Sequence, residues 1–266
     1  MIQCVERGGN VIDLKKANVE FDKYVKNYNS EDKKIALKIE HIKRVSEISG
    51  IISENLNLDK ENIELAKLIG LLHDIGRFEQ IKQYNTFSDK DSIDHGKLGV
   101  EILFKQGKIR NFIKSAKYDE IIKKAILNHN RKEIEKGLNP KELLHSKIIR
   151  DADKLDCFYV LLTDDIKNTY GCSAEDMQNE TFSKEIIREF KEDHMIDYKK
   201  RATYGDIWIS HMAYVFDFYY KSSYIVIKEK DYLNKLTQKM NFKNPQTIQM
   251  AQELLQIAND YIKSKI

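Results

Sequence analysis

Residues 65–77 read Leu65-Ala66-Lys67-Leu68-Ile69-Gly70-Leu71-Leu72-His73-Asp74-Ile75-Gly76-Arg77. Leu65, Leu68, Ile69 and Leu72 recur at three- and four-residue steps, the period of a helix with one buried face. The run predicts a helix over 60–74 that ends on His73-Asp74, with Gly76 placed to stop it. Adjacent helical residues normally point about 100° apart. At a helix end, however, both side chains can reach a single ion from neighbouring directions.

Working outward, the same pattern recurs. His41 lies on the stripe Leu37, His41, Val45, Ile48 and Ile52, and His95 shares a face with Leu98 and Ile102. His129 goes with Ile122, Ala125 and Ile126, and Asp153 with Ile149, Ala152 and Val160. A single histidine on an apolar face is usually a hydrogen-bonded core residue. Four inward histidines and two inward aspartates from five helices are a different matter. Burying so many polar groups without a shared partner costs several kcal/mol. A divalent transition metal satisfies them together, because neutral imidazole and carboxylate ligate zinc, iron, manganese and similar ions.

The rest of the chain reads as all-α. The expected helices lie near 12–28, 31–55, 60–74, 92–106, 118–130, 140–163, 182–193, 204–240 (broken near Lys221-Ser222-Ser223) and 245–264. Pro140 and Pro245 each follow an asparagine, Asn139 and Asn244, as a capped helix start requires. Tyr224-Ile225-Val226-Ile227 is the best strand-like run, but charged helix formers flank it and it reads as helix. The polar stretch 164–203, punctuated by Gly171, Ser173 and Asn179, suggests an insertion or lid. Residues 1–165 are expected to form the metal-binding core with an N-terminal helix, and 166–266 a helical extension.

Composition limits the function. The 266 residues carry 45 basic and 42 acidic side chains, a net charge of +3 spread along the chain rather than gathered in a run. That balance gives no strong nucleic-acid or membrane signal. Cys4, Cys157 and Cys172 lack metal-site or redox spacing and are expected to be free thiols in a reducing compartment. No signal peptide is visible in Met1–Asn10, and no apolar run reaches membrane-span length. The expected location is cytoplasmic.

The order His41, His73-Asp74, Asp153 resembles the H…HD…D signature of the HD-domain superfamily. The local wording agrees: Glu40-His41-Ile42-Lys43-Arg44-Val45, Leu71-Leu72-His73-Asp74-Ile75-Gly76-Arg77, Asp94-His95-Gly96-Lys97-Leu98-Gly99 and Asp151-Ala152-Asp153-Lys154-Leu155-Asp156. The resemblance covers about residues 35–160 and implies an HD-domain helical bundle with additional C-terminal helices. It implies hydrolysis of phosphoester bonds, often in nucleotides, with one or two bound metals. Carried over, His41, His73, Asp74 and Asp153 are ligands of a first ion. Asp153 is preferred to Asp151 because it stands in the Ala-Asp-Lys-Leu wording and follows Ile149 by four residues. Asp156, near the same face, reads as a supporting group or an ion-pair partner.

With His95 and His129, all six positions of the two-metal order H…HD…H…H…D are filled, and Asp74 becomes a bridge between two ions (Fe, Mn, Co, Ni or Zn). The other arrangement is one metal with both histidines serving the substrate. The cyclic-dinucleotide branch adds a Gly-Tyr-Pro motif and a doubled histidine. This chain has neither, since Asn130 follows His129.

Three cations adjoin the motifs. Arg77 stands three residues after Asp74, where two-metal relatives place a phosphate-binding lysine, and Lys154 follows Asp153. Both are candidate catalytic cations beside Asp74, whereas Arg44 reads as a structural ion-pair partner. His145 is expected to be structural, His194 a surface residue and His211 packed between helices. Tyr214, Phe216, Phe218, Tyr219 and Tyr220 read as a core or a homodimer seam. The expected partner is a small phosphorylated substrate, foremost a nucleotide. Two other classes stay open: a two-iron oxygenase and a non-catalytic nucleotide-sensing module.

Overall fold

The structure, a computed structural model, describes residues 12–29, 31–194 and 196–266. Cys4 lies outside them, and Cys157 and Cys172 are free thiols. The described residues are helical with no strand, and no helix among them is long and apolar enough to cross a membrane. They fall into two compact units, the first ending at Asp153 and the second beginning at Lys154.

In the first unit, α1 (Leu14–Val25) packs on α3 (Lys60–Leu72) and on the short α6 (Ile109–Phe112). The most extensive pairing is between α2 (Lys33–Asn55) and α3. It is close because Gly70 faces α2: a Cβ there would lie 2.7 Å from the Cα of Ser46. Ser46 Oγ donates to Lys67 O at 2.7 Å across the same seam. Next come α4 (Gly76–Tyr84), α5 (His95–Val100), α7 (Asp119–His129) and, up to Asp153, the first part of α8 (Pro140–Thr163). α4 packs on α5, and α5 and α3 both pack on α7. Leu65, Leu68, Leu71, Leu72, Ile75, Ile122, Ala125 and Ile126 are all fully buried.

The second unit holds α9 (Ile166–Tyr170), α10 (Ala174–Gln178), α11 (Lys184–Arg188), α12 (Tyr204–Met212), α13 (Lys221–Glu229), α14 (Tyr232–Met240) and α15 (Pro245–Lys265). Its core includes Trp208, stacked on Phe182 with centroids 5.5 Å apart and edge-on to Phe242 at 5.4 Å. Asp206 ties the entry to α12 together, accepting from Ser183 N, Ser183 Oγ, Ala202 N and Thr203 N at 2.6–3.2 Å.

Both asparagine–proline starts form as expected. Asn139 Oδ1 accepts from Lys141 N and Glu142 N at 3.0 Å, and Asn244 caps α15. The strand-like run 224–227 lies within α13.

Two expectations are corrected. The helix predicted over 60–74 ends at Leu72, and Gly76 does not stop a helix but opens α4. The reason is space: a Cβ on Gly76 would stand 2.3 Å from His95 O and 2.7 Å from Gly99 N, so only glycine lets α4 meet α5. The 204–240 stretch is likewise three helices, because a 3-10 turn at Ala213–Asp217 and left-handed Asp231 (φ 55°) interrupt it.

His145 is buried with Nε2 3.2 Å from Asn62 Oδ1, which makes it structural. Burial, and then the charge of Lys141, push its imidazole down to about 4. The unfolded chain therefore takes up this proton at a higher pH than the fold does. Stability from this group is complete above the ordinary histidine range and falls as pH drops through it.

Two stability measurements follow from this packing. Gly76→Ala should cost about 1–3 kcal/mol or more by overpacking against backbone, while Gly99→Ala, whose added Cβ meets only ordinary contacts at 3.5 Å or beyond, should stay within about 1 kcal/mol of wild type in urea denaturation. Between about pH 7.5 and about pH 5, wild type should lose about 2 kcal/mol more than His145→Gln; equal losses would contradict a neutral buried His145.

Candidate metal centre

Six side chains of the first unit converge because four of them sit at or beside helix ends. His41 lies within α2. His73 is the C-cap of α3, and Asp74 follows in the turn before α4. His95 opens α5, capped by Asp94, and His129 closes α7. Asp153 comes from α8. All but Asp153 are at most 4% exposed, and Asp153 keeps about a fifth of its side chain open at 21%.

The Asp74 carboxylate is the centre of the set. Its Oδ2 lies 3.5 Å from His73 Nε2 and 3.6 Å from His41 Nε2. Its Oδ1 lies 3.2 Å from His95 Nε2 and 3.6 Å from His129 Nε2. Asp153 Oδ1 completes the first side, 3.2 Å from His41 Nε2 and 3.7 Å from His73 Nε2. His41, His73 and Asp74 thus form one potential ion-binding group, and Asp74, His95 and His129 a second. His73, His129 and Asp153 form a third group that overlaps both.

The outer nitrogens set the tautomers. His73 Nδ1 lies 2.8 Å from Gly70 O and His129 Nδ1 lies 2.6 Å from Ile126 O. A carbonyl only accepts, so each Nδ1 carries the proton. His95 Nδ1 lies 2.6 Å from Asp89 Oδ2 and donates to that carboxylate. In the neutral rings the three Nε2 atoms are lone pairs turned inward, and His95 Nε2 and His129 Nε2 stand 2.8 Å apart. His73 Nε2 and Asp74 Oδ1 are buried and make no hydrogen bond. Lone pairs that face one another across a buried carboxylate need a cation, and the donor set suits a divalent transition metal. The residues fit the metal.

Electrostatics support the ionised form. Burial would raise the Asp74 carboxyl, but Lys38 foremost, joined by His73, His129 and His41 when those rings carry a proton toward it, outweighs burial and holds it well below the ordinary range. Asp153 is likewise raised by burial and held well below by His41 and His73.

Sequence reasoning missed the supports. Lys38 Nζ donates to Asp74 Oδ2 at 2.8 Å. It stands one helical turn before His41, a spacing that puts both on one face and could have been read. Asp89 carries no such signal, since it sits in a single 3-10 turn, Asp89–Asp91, whose position the α-helical period does not determine. Its two oxygens accept from His95 Nδ1, Asn130 Nδ2, Arg77 and Gln80 Nε2 at 2.6–3.2 Å. Burial raises the Asp89 carboxyl, and His95, Arg77 and Gln80 more than reverse that.

The two cations nominated from sequence are placed differently. Arg77 Nη1 donates to Gln80 Oε1, Phe87 O and Asp89 Oδ1 at 2.6–2.9 Å. Arg77 Nε, which is buried and makes no hydrogen bond, lies 3.6 Å from Asp74 Oδ1. Lys154, in the second unit, pairs with Asp217 at 2.8 Å and lies over the Tyr214 ring. Arg44 is half-buried.

The other histidines divide. His211 packs between the Tyr170 and Tyr214 rings, as expected. His194 is half-buried rather than fully exposed: it stacks on Phe216 with centroids 4.1 Å apart and meets Tyr261 edge-on. The charged residues around it in sequence hide that contact.

Residues 39–157 match the family model described as HD domain, a span that contains all six converging side chains. Neither a curated protein nor a solved structure matches the chain.

Asp89→Asn removes the charge that fixes the His95 ring. Metal affinity at the His95 side should fall about 10- to 100-fold, as outer-shell carboxylates typically contribute. Titration with manganese followed by elemental analysis reads this, and unchanged affinity would show that Asp89 does not orient His95.

Proposed function

We propose that the HD domain of this chain, residues 39–157, is the catalytic core of a two-metal phosphohydrolase that cleaves a phosphoester bond in a nucleotide or another small phosphorylated metabolite. The observation that carries this reading is the Asp74 carboxylate, with one oxygen toward His41 and His73 and the other toward His95 and His129. His41, His73, Asp74 and Asp153 would hold one ion, and His95 and His129 the second, with Asp74 shared. Iron, manganese, cobalt, nickel and zinc all suit that donor set. Bound there, divalent ions bring a water toward neutral acidity and neutralise charge on the phosphoryl oxygens.

The chain's own side chains do the rest. Gly70 O, Ile126 O and Asp89 hold three imidazole rings with their Nε2 lone pairs inward, so no reorganisation precedes binding. Lys38 and Arg77 place positive charge on either side of Asp74, where a phosphoryl group in transfer gathers negative charge. Arg77 does so through Nε, because Nη1 is held by Gln80, Phe87 and Asp89. Lys154 is the further candidate cation, held by Asp217. Asp153, partly open, gives the centre its exposed edge.

The full chain, loaded in turn with each of these metals, should hydrolyse members of a panel of phosphomonoesters and phosphodiesters, nucleotides included. Asp74→Ala should lower both ion content and turnover by more than about a hundredfold, beyond what outer-shell changes cause. A folded, metal-loaded wild type without turnover on any ester would overturn the assignment.

A further inference from the structure

α7 ends on His129, and the chain then turns through Asn130, Arg131 and Lys132. A helix commonly closes on a left-handed residue that satisfies its last carbonyls. Asn130, the C-cap of α7, is not left-handed (φ −100°, ψ 3°). The carbonyls of this turn are met from α8 instead. Arg150 is 1% exposed, and its Nη1 donates to Asn128 O at 2.8 Å and to Arg131 O at 2.5 Å. Its Nη2 donates to Lys132 O at 3.2 Å.

These three bonds bracket His129 and Asn130. The Asn128 side chain fixes the near side, with Nδ2 donating to Lys124 O and Oδ1 accepting from Glu135 N, both at 2.8 Å. His129 Nε2 lies 2.8 Å from His95 Nε2 and 3.6 Å from Asp74 Oδ1. Asn130 Nδ2 reaches Asp89 Oδ2 at 3.2 Å, the oxygen that accepts from His95 Nδ1. One turn therefore carries one imidazole of the His95–His129 pair and steadies the other.

Burying a guanidinium is costly, and water or a glycine can close a helix end without it. A guanidinium supplies what they do not: a planar fork that meets several acceptors in fixed directions. Its charge also suits the negative end of the α7 dipole. Arg150 stands one helical turn before Asp153, so the same stretch of α8 reaches both sides of the metal centre.

We propose that Arg150 is a positioning residue for the second ion, the one assigned to His95 and His129. It acts through His129 and Asn130 by holding the turn that carries them, and not as a ligand. The inference rests on the two-metal reading above.

The test is equilibrium dialysis of the full chain against manganese, with bound metal counted by elemental analysis. Electron paramagnetic resonance separates a coupled manganese pair from an isolated ion. Wild type should hold two ions per chain and show the coupled pair. Arg150→Gln should weaken the second ion about 10- to 100-fold, as outer-shell changes do, and leave the first within about twofold. Its spectrum at limiting manganese should be that of an isolated ion. Asp153→Ala should instead weaken the ion on the His41 side. Arg150→Lys keeps the charge without the fork, so an intermediate loss is expected. It carries the test if Arg150→Gln does not fold.

Fewer than two ions in wild type would overturn the two-metal reading, and this inference with it. With two ions in wild type, unchanged binding in the folded variants would overturn the inference alone. Equal losses of both ions, or failure of both variants to fold, would make Arg150 structural only and overturn it as well.

Discussion

Asp74 carries a negative charge in a position almost wholly removed from water, 3% exposed between α3 and α4. A lone carboxylate there would be protonated, because burial disfavours charge strongly. Lys38, which donates to one of its oxygens at 2.8 Å, leads the groups that keep it ionised instead. The bundle depends on that balance. α2, α3, α5 and α7 each bring a histidine to within 3.6 Å of one or other Asp74 oxygen, so the packing of four helices and the solvation of one carboxylate are a single constraint.

Helix ends explain how so many ligand atoms meet. A histidine at the C-terminus of α3 or α7 can donate Nδ1–H to a carbonyl of its own last turn, as His73 and His129 do to Gly70 and Ile126. The helix thereby satisfies a carbonyl that would otherwise be an orphan and fixes the ring with Nε2 inward. His95, at an N-terminus, has no such carbonyl and draws on Asp89 from the preceding loop. Gly76 closes the arrangement, since only a residue without a side chain lets the chain beyond Asp74 pass against His95 O. The match of residues 39–157 to the HD-domain model, together with these His/Asp groups, supports a metal-dependent hydrolytic function in general.

Much of this was legible in the sequence, for a physical reason. Burial stripes at helical period place His41, His95, His129 and Asp153 inward, and the structure buries or half-buries each of them. The preference for Asp153 over Asp151 used the same stripe, and Asp153 is the one near His41, although Asp151, off that stripe, is fully buried and Asp153 is partly open. What the period cannot show is contact outside it. Asp89 sits in a short 3-10 turn outside the α-helices, so nothing in its spacing points to His95. The role of Gly76 depends on the backbone of α5, far along the chain, and a glycine after a helix reads locally as a stop. His194 was masked by charged neighbours in the same way.

The claim at the centre of this account is that Asp74 is shared by two ions. Crystals of the full chain grown with manganese or iron, measured on both sides of the metal absorption edge, would test it most directly. The account predicts two anomalous peaks, one beside His41, His73 and Asp153 and one beside His95 and His129, with an Asp74 oxygen toward each. A single peak, or two peaks of which one leaves Asp74 untouched, would contradict it.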